Sequence, residues 1–181
     1  MKGYLDLLRH VVDNGKDHED RKGVRTRAVF GCQWRHNLQA GFPLLTTRTI
    51  HARSVLHELL WMLRGETNVR SLHEVGVTVW DKAADAAGDL GPSYGKQWRS
   101  WNEKPKPAAD GGIPKKAGLD QIASLVRSLK ERPFSPWHIV TAWNPSDVTH
   151  MALPPCHALW QCQVETMPTD VNRCVFRLSF A

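Results

Sequence analysis

Apolar residues return every three or four positions at the start of the chain: Tyr4, Leu7, Leu8, Val11 and Val12, with Gly15 after them. That spacing predicts an amphipathic helix closed by a glycine cap. Residues 25 to 38 place Val29, Phe30, Trp34 and Leu38 among charged neighbours, which predicts two strands around Gly31 and then a turn at Gly41-Phe42-Pro43. A second helical pattern runs from His51 to Arg64, with Gly65 behind it. There Val55, Leu56, Leu59, Leu60, Met62 and Leu63 fill one broad face, opposite Arg53, His57 and Arg64. Residues 102 to 118 hold three prolines and three glycines without periodicity, so an inserted surface loop is expected over 103–117. A third helix is expected from Leu119, with Ile122, Val126 and Leu129 on one side, ending before Pro133 and Pro136. His138 to Trp143 reads as a buried strand. Ala158 to Val164 reads as a half-buried one with Trp160, Cys162 and Val164 on one face. Phe176, Leu178 and Phe180 alternate with Arg177 and Ser179 as a last strand. Helices and strands are interspersed without regular alternation, which favours an α+β layered fold over a doubly wound one.

Composition narrows the class. A chain of 181 residues fits a single domain with its own core, and 41% hydrophobic with 23% charged residues is ordinary for a soluble protein. No apolar run approaches the ~20 residues of a membrane span. The start, Met1-Lys2-Gly3-Tyr4, leads straight into a helix rather than a signal peptide, so a cytoplasmic location is expected. The net charge of +6 favours anionic partners. The basic residues are scattered, however, apart from Lys104, Lys106, Lys115 and Lys116, and no aromatic-studded basic strand accompanies them. Nucleic acid is therefore not the expected partner. The cysteines Cys32, Cys156, Cys162 and Cys174 form no Cys-x-x-Cys pair and no zinc spacing, so free thiols and no metal are expected.

Two positions carry candidate chemistry. In Leu153-Pro154-Pro155-Cys156-His157-Ala158, two prolines stiffen the entry to a strand and place a cysteine at the junction. Cations or backbone donors near such a thiol would make it a ready nucleophile; buried among apolar neighbours it would be inert core. Glu58 falls at the edge of the apolar band of the second helix, seven residues from His51, so the two point nearly the same way. A carboxylate half out of water there suits proton handling. The alternative is an ordinary helix-edge ion pair.

The chain resembles thymidylate synthases. The resemblance is carried, in order, by Asp20-Arg21, by Gly41-Phe42-Pro43-Leu44-Leu45-Thr46-Thr47 and by His57-Glu58-Leu59-Leu60-Trp61. Trp80-Asp81, Asp89-Leu90-Gly91-Pro92-Ser93-Tyr94-Gly95-Lys96-Gln97-Trp98-Arg99 and Pro155-Cys156-His157 follow. The match is near-continuous to about Val164, broken at 103–117, and residues 165–181 form a divergent tail. The resemblance implies a large mixed sheet packed with helices and lying at a homodimer interface. It implies reductive methylation of dUMP to dTMP, with 5,10-methylenetetrahydrofolate as methylene and hydride donor and no metal. It also implies roles: Cys156 as the nucleophile on C6 of the pyrimidine, Glu58 and Tyr94 in proton transfer, Arg21 on the dUMP phosphate, and His51 and Trp80 on the folate. Leu90, Asn144 and His157 match pocket or supporting positions.

Three departures qualify what the resemblance implies. Pro136 and Trp137 stand where the family has an arginine pair that reaches the partner subunit's nucleotide phosphate. His138, adjacent, could restore part of that charge when protonated. Ala83 stands where a second folate-side tryptophan is common. Past Val164 the similarity dissolves, and with it the family's residues for the ribose, the base and part of the phosphate. The expectation is therefore a single, incomplete domain over 1–181, lacking the carboxy-terminal third, with at most weak turnover. A pyrimidine nucleotide hydroxymethylase, or a non-catalytic relic serving as a dimerisation or nucleotide-binding module, are the alternatives.

Overall fold

The computed structural model describes residues 2–19, 23–106, 115–166 and 172–179. The chain divides into two compact units, Met1–His51 and Ala52–Ala181.

In the first unit, helix α1 spans Lys2–Asn14, and the Gly15 N–H donates to the Val11 carbonyl at 2.9 Å, so the glycine-closed helix is as expected. Strands β1 (Lys16–Glu19) and β2 (Arg25–Ala28) form an antiparallel hairpin, with Asp17 opposite Arg27. The Arg27 guanidinium holds the Asp17 carboxylate in two hydrogen bonds of 2.7 and 3.2 Å. This corrects the expectation of strands around Gly31, because residues 29–37 are neither helix nor strand. The strands pair through opposite charges on exposed residues rather than through alternating apolar ones, so hydrophobic periodicity does not reveal them. A short 3₁₀ turn, Leu38–Ala40, precedes Gly41.

In the second unit, α2 (Ala52–Leu63) matches the expected helix, but its buried side differs from the expected one. Trp61 and Met62 are buried, and Ser54, His57 and Glu58 lie half-buried on the same side. Val55, Leu56, Leu59 and Leu60 are exposed. The helix is apolar around more than half its circumference, so hydrophobicity alone does not say which side packs. The Trp61 indole N–H donates to the Asn68 carbonyl at 3.0 Å, a polar anchor that orients this side inward.

Two short helices follow, α3 (Arg70–His73) and α4 (Tyr94–Arg99). α4 packs closely on the end of α2: a methyl on Gly95 would stand 2.3 Å from the Glu66 carbonyl oxygen. Strands β3 (Trp101–Lys106) and β4 (Lys115–Leu119) pair antiparallel, so the segment expected as an inserted loop is framed by a hairpin. Pro105 within β3 and the register shift between Trp101 and Lys104 hide the strand character of this pair from sequence patterns. Helix α5 (Gln121–Glu131) is capped by Asp120, whose carboxylate accepts the Ala123 N–H at 2.8 Å. Its inward side carries Gln121, Ile122, Leu125 and Leu129; Val126, expected there, is exposed.

Strands β5 (Ile139–Thr141), β6 (Leu159–Thr166) and β7 (Asn172–Ser179) form one antiparallel sheet in the order β5-β6-β7. Val140, Ala142 and Cys162 point into the core with Trp61, Leu72, Leu90 and Trp98, while Ile139 stays exposed. The strand expected as buried over 138–143 is thus half-buried. Helices with small antiparallel sheets make the fold α+β. The described strands form sheets of two, two and three, all antiparallel, so the expected large mixed sheet is not among them.

Candidate active site

Four segments of the second unit converge on Tyr94. The segment 150–157 is drawn onto the start of α4 by backbone contacts. Ala152 N–H donates to the Leu90 carbonyl at 2.9 Å. Gly91, at φ 71°, lets the chain pass so close to His150 that a methyl there would lie 2.3 Å from its carbonyl oxygen. Pro155 is fully buried and fixes the last turn before Cys156, which is itself free and exposed. Cys32 is also exposed, whereas Cys162 is buried in the core; the Cys174 side chain lies outside the described residues.

Tyr94 is 5% exposed. Its phenol oxygen accepts the Cys156 N–H at 2.7 Å and, more distantly, the His157 N–H at 3.4 Å. Its ring is walled by Trp98, His157 and Trp80, at centroid distances of 5.9, 5.7 and 6.3 Å. The Trp80 indole N–H in turn donates to the Glu58 carboxylate at 2.8 Å. Glu58, Trp80, Tyr94, Cys156 and His157 therefore share one neighbourhood, although 98 residues separate the first carboxylate from the thiol (156 − 58).

Burial pushes the Tyr94 phenol above the usual tyrosine range, and the negative charges of Cys156 and Glu58 push the same way, against the two backbone N–H groups. Burial likewise pushes the His157 imidazole below the usual histidine range, partly offset by the Glu58 charge. The arrangement offers an exposed thiol, a buried phenol bonded to the thiol's own backbone, and a carboxylate held nearby through Trp80. That combination is suited to a covalent addition coupled to proton transfer.

Behind Tyr94 lies a buried amide network that sequence patterns did not single out as a unit. The Gln97 amide donates to the Asp147 carboxylate at 2.7 Å and to the Pro92 carbonyl at 2.8 Å. Asn144 donates to Gln97 at 3.1 Å and to Asp147 at 3.1 Å. Gln121 donates to the carbonyls of Gln97 and Thr141, both at 2.8 Å. The network ties α4 to α5, to β5 and to the loop that leads to Cys156. Gln97 stands within a motif stretch and Asn144 matches a supporting position, but their pairing with each other and with Gln121 and Asp147 is purely spatial. Asn144 takes a supporting place here, and Leu90 is core.

The remaining expected positions fall elsewhere. His51 is exposed and belongs to the first unit, and Arg21 lies outside the described residues. Ala83 sits in the turn after Trp80 and donates its N–H to the Trp80 carbonyl at 2.9 Å. Trp137 is 75% exposed and Pro136 is exposed as well. His138 is corrected: it is 0% exposed, and neither ring nitrogen has a hydrogen-bond partner among the described residues. Strand alternation turns it inward with Val140, so it cannot serve as a surface cation next to Trp137. Among the described residues no cluster of three or more His, Cys, Asp or Glu side chains suits a metal ion, and no helix is long and apolar enough to cross a membrane.

A sequence model of the family described as thymidylate synthase matches residues 2–179. The match takes in both units and every residue of the cluster around Tyr94. The chain belongs to the thymidylate synthase family.

Proposed function

From that membership we propose that the cluster around Tyr94 is the reaction centre of a methyltransferase that converts dUMP to dTMP with 5,10-methylenetetrahydrofolate. The observation that carries the proposal is the hydrogen bond from the Cys156 backbone to the Tyr94 phenol, with Glu58 held beside it through Trp80. Cys156 is the nucleophile. Its thiolate lone pair forms the bond to C6 of the pyrimidine, and the C5–C6 π electrons move toward the C4 carbonyl oxygen, leaving C5 nucleophilic. Tyr94 and Glu58 then handle protons. The phenol is placed to take part in removal of the C5 proton, and the carboxylate to order water for the transfers.

The residues present fit the folate. Trp80 is half-buried and its N–H is already engaged by Glu58, so what it offers a ligand is the face of its ring, suited to a flat heteroaromatic group. When bound, the folate supplies the one-carbon unit and a hydride. Trp80 and His51 are the residues proposed to hold it, with a thinner aromatic wall where Ala83 stands. Arg21 is proposed to bind the dUMP phosphate as a bidentate cation. Pro136 and Trp137 supply no such bond, each worth ~1.5–3 kcal/mol, so dUMP affinity is expected to be weak. The exposed Trp137, Ile139 and Trp143 beside β5 support a homodimer formed over that edge of the sheet. A cytoplasmic location accords with this chemistry.

The test is covalent trapping of the chain by 5-fluoro-dUMP in the presence of 5,10-methylenetetrahydrofolate, read by mass spectrometry. Adduct on Cys156, lost in Cys156→Ser and retained in Cys32→Ser, Cys162→Ser and Cys174→Ser, is the expected result. Equal labelling in Cys156→Ser would sink the nucleophile assignment. No adduct under saturating ligand would favour a non-catalytic dimerisation or nucleotide-binding module.

A further inference from the structure

Tyr94 makes an unusual use of its hydroxyl. Buried phenols commonly give their hydrogen to a protein acceptor; here the oxygen receives two backbone N–H groups, from Cys156 at 2.7 Å and His157 at 3.4 Å. The acceptor side of the phenol is therefore spent on the nucleophile's own backbone, while its O–H hydrogen has no acceptor in those bonds. The groups that act on the phenol electrostatically are Glu58 from α2, and Cys156 and His157 from the strand-entry segment. Trp80 and Trp98, which complete its surroundings, carry no charge.

Three acids thus lie near one another: a buried phenol, a half-buried carboxyl group and an exposed thiol, the last two close enough for their charges to act on the first. Burial favours the protonated phenol, and a thiolate on Cys156 adds to that preference by like-charge repulsion, as does the Glu58 carboxylate. Addition of the thiolate to an electron-poor carbon changes this. The sulfur lone pair becomes the S–C bond, the negative charge passes to the substrate's carbonyl oxygen, and no proton leaves the sulfur. What remains on Cys156 is a neutral thioether.

We propose that Tyr94 and Cys156 form one coupled unit, in which the phenol anchors the nucleophile's backbone and covalent capture of the sulfur, by removing its charge, releases the phenol to give up its proton to solvent water. The coupling orders the reaction: the proton-removing group is restrained until the sulfur has been consumed. It rests on the reading of Cys156 as the nucleophile, but it can be measured without substrate.

The chain has two tyrosines, Tyr4 and Tyr94, so 3-fluorotyrosine incorporated into a Tyr4→Phe, Cys32→Ser protein reports Tyr94 alone by ¹⁹F NMR. The titration midpoint of Tyr94 is recorded before and after Cys156 is alkylated with iodoacetamide, a step that forms an S–C bond and expels iodide. Site occupancy is checked by peptide mass. Alkylation should lower the midpoint by at least ~0.5 pH unit, roughly a threefold gain in phenolate at a given pH. A midpoint that stays put or rises overturns the coupling. In the unmodified protein the Cys156 backbone amide resonance should move with the Tyr94 midpoint, whereas the Cys162 amide, which donates to the His138 carbonyl, should not. A Cys156 amide that ignores the Tyr94 titration overturns the anchoring. Every labelled protein retains the Tyr94 side chain, so neither readout depends on a variant that removes the phenol. Coupling without trapping by 5-fluoro-dUMP would leave this inference standing and defeat the methylation reading; trapping without coupling would do the reverse.

Discussion

The two units of this chain use apolar residues in opposite ways. In the first, α1 is amphipathic, yet Leu5, Leu8 and Val12 are 43–60% exposed and no residue of the helix is buried. In the second, Trp61, Leu72, Leu90, Trp98 and Val140 close a common core around which the site is built. The difference shows that an apolar stripe states a capacity for burial, whereas burial itself needs a partner surface. The groups proposed to react, Glu58, Tyr94 and Cys156, are all held by the second unit.

The contrast breaks most readily at the core. Trp61→Ala should cost about 3–5 kcal/mol, because it opens a cavity and strands the Asn68 carbonyl. Val12→Ala should move stability by less than ~0.5 kcal/mol. Urea unfolding of the two variants measures both, and comparable losses would mean that α1 is packed as firmly as α2.

A smaller effect, of opposite sign, is expected at His138. Its imidazole is fully buried with both nitrogens unpartnered among the described residues, which is costly for a polar group. His138→Leu is close to it in volume and should raise stability by ~1 kcal/mol. A loss of 1 kcal/mol or more would show that the ring has a polar partner after all.

The smallest expected effect concerns pH. Burial holds His157 below the usual histidine range, so between that range and its folded value the unfolded chain binds the extra proton. The stability tied to neutral His157 is then fully present above about pH 6.5 and is lost as pH falls through the window down to the folded value. His157→Gln should flatten the stability profile in that acid window and leave it unchanged above pH 7. Chemical denaturation at a series of pH values checks this, and an unchanged acid slope would mean that His157 is solvated in the folded state.

Local chemistry was legible wherever the residues themselves enforce it. Gly15 and Gly65 end their helices, and Pro154-Pro155 stiffen the approach to Cys156. The alternation from Ala158 to Val164 marks β6. The ordered motifs from Asp20 to His157 point to the family. Each of these rests on backbone preference or on identity along the chain, and neither depends on what lies across space. Four outcomes required the packed molecule. Which side of α2 turns inward depended on the anchoring of Trp61, since apolar residues ring much of the helix. The hairpin of β1 and β2 depended on Asp17 meeting Arg27. His138 went into the core because strand alternation outranks polarity when Val140 must be buried. And Tyr94 became the pivot of the site only because Leu90, Gly91 and Pro155 bring a segment 62 residues away onto its hydroxyl. Pairings of this kind are set by desolvation and close approach between distant segments, which no local pattern encodes.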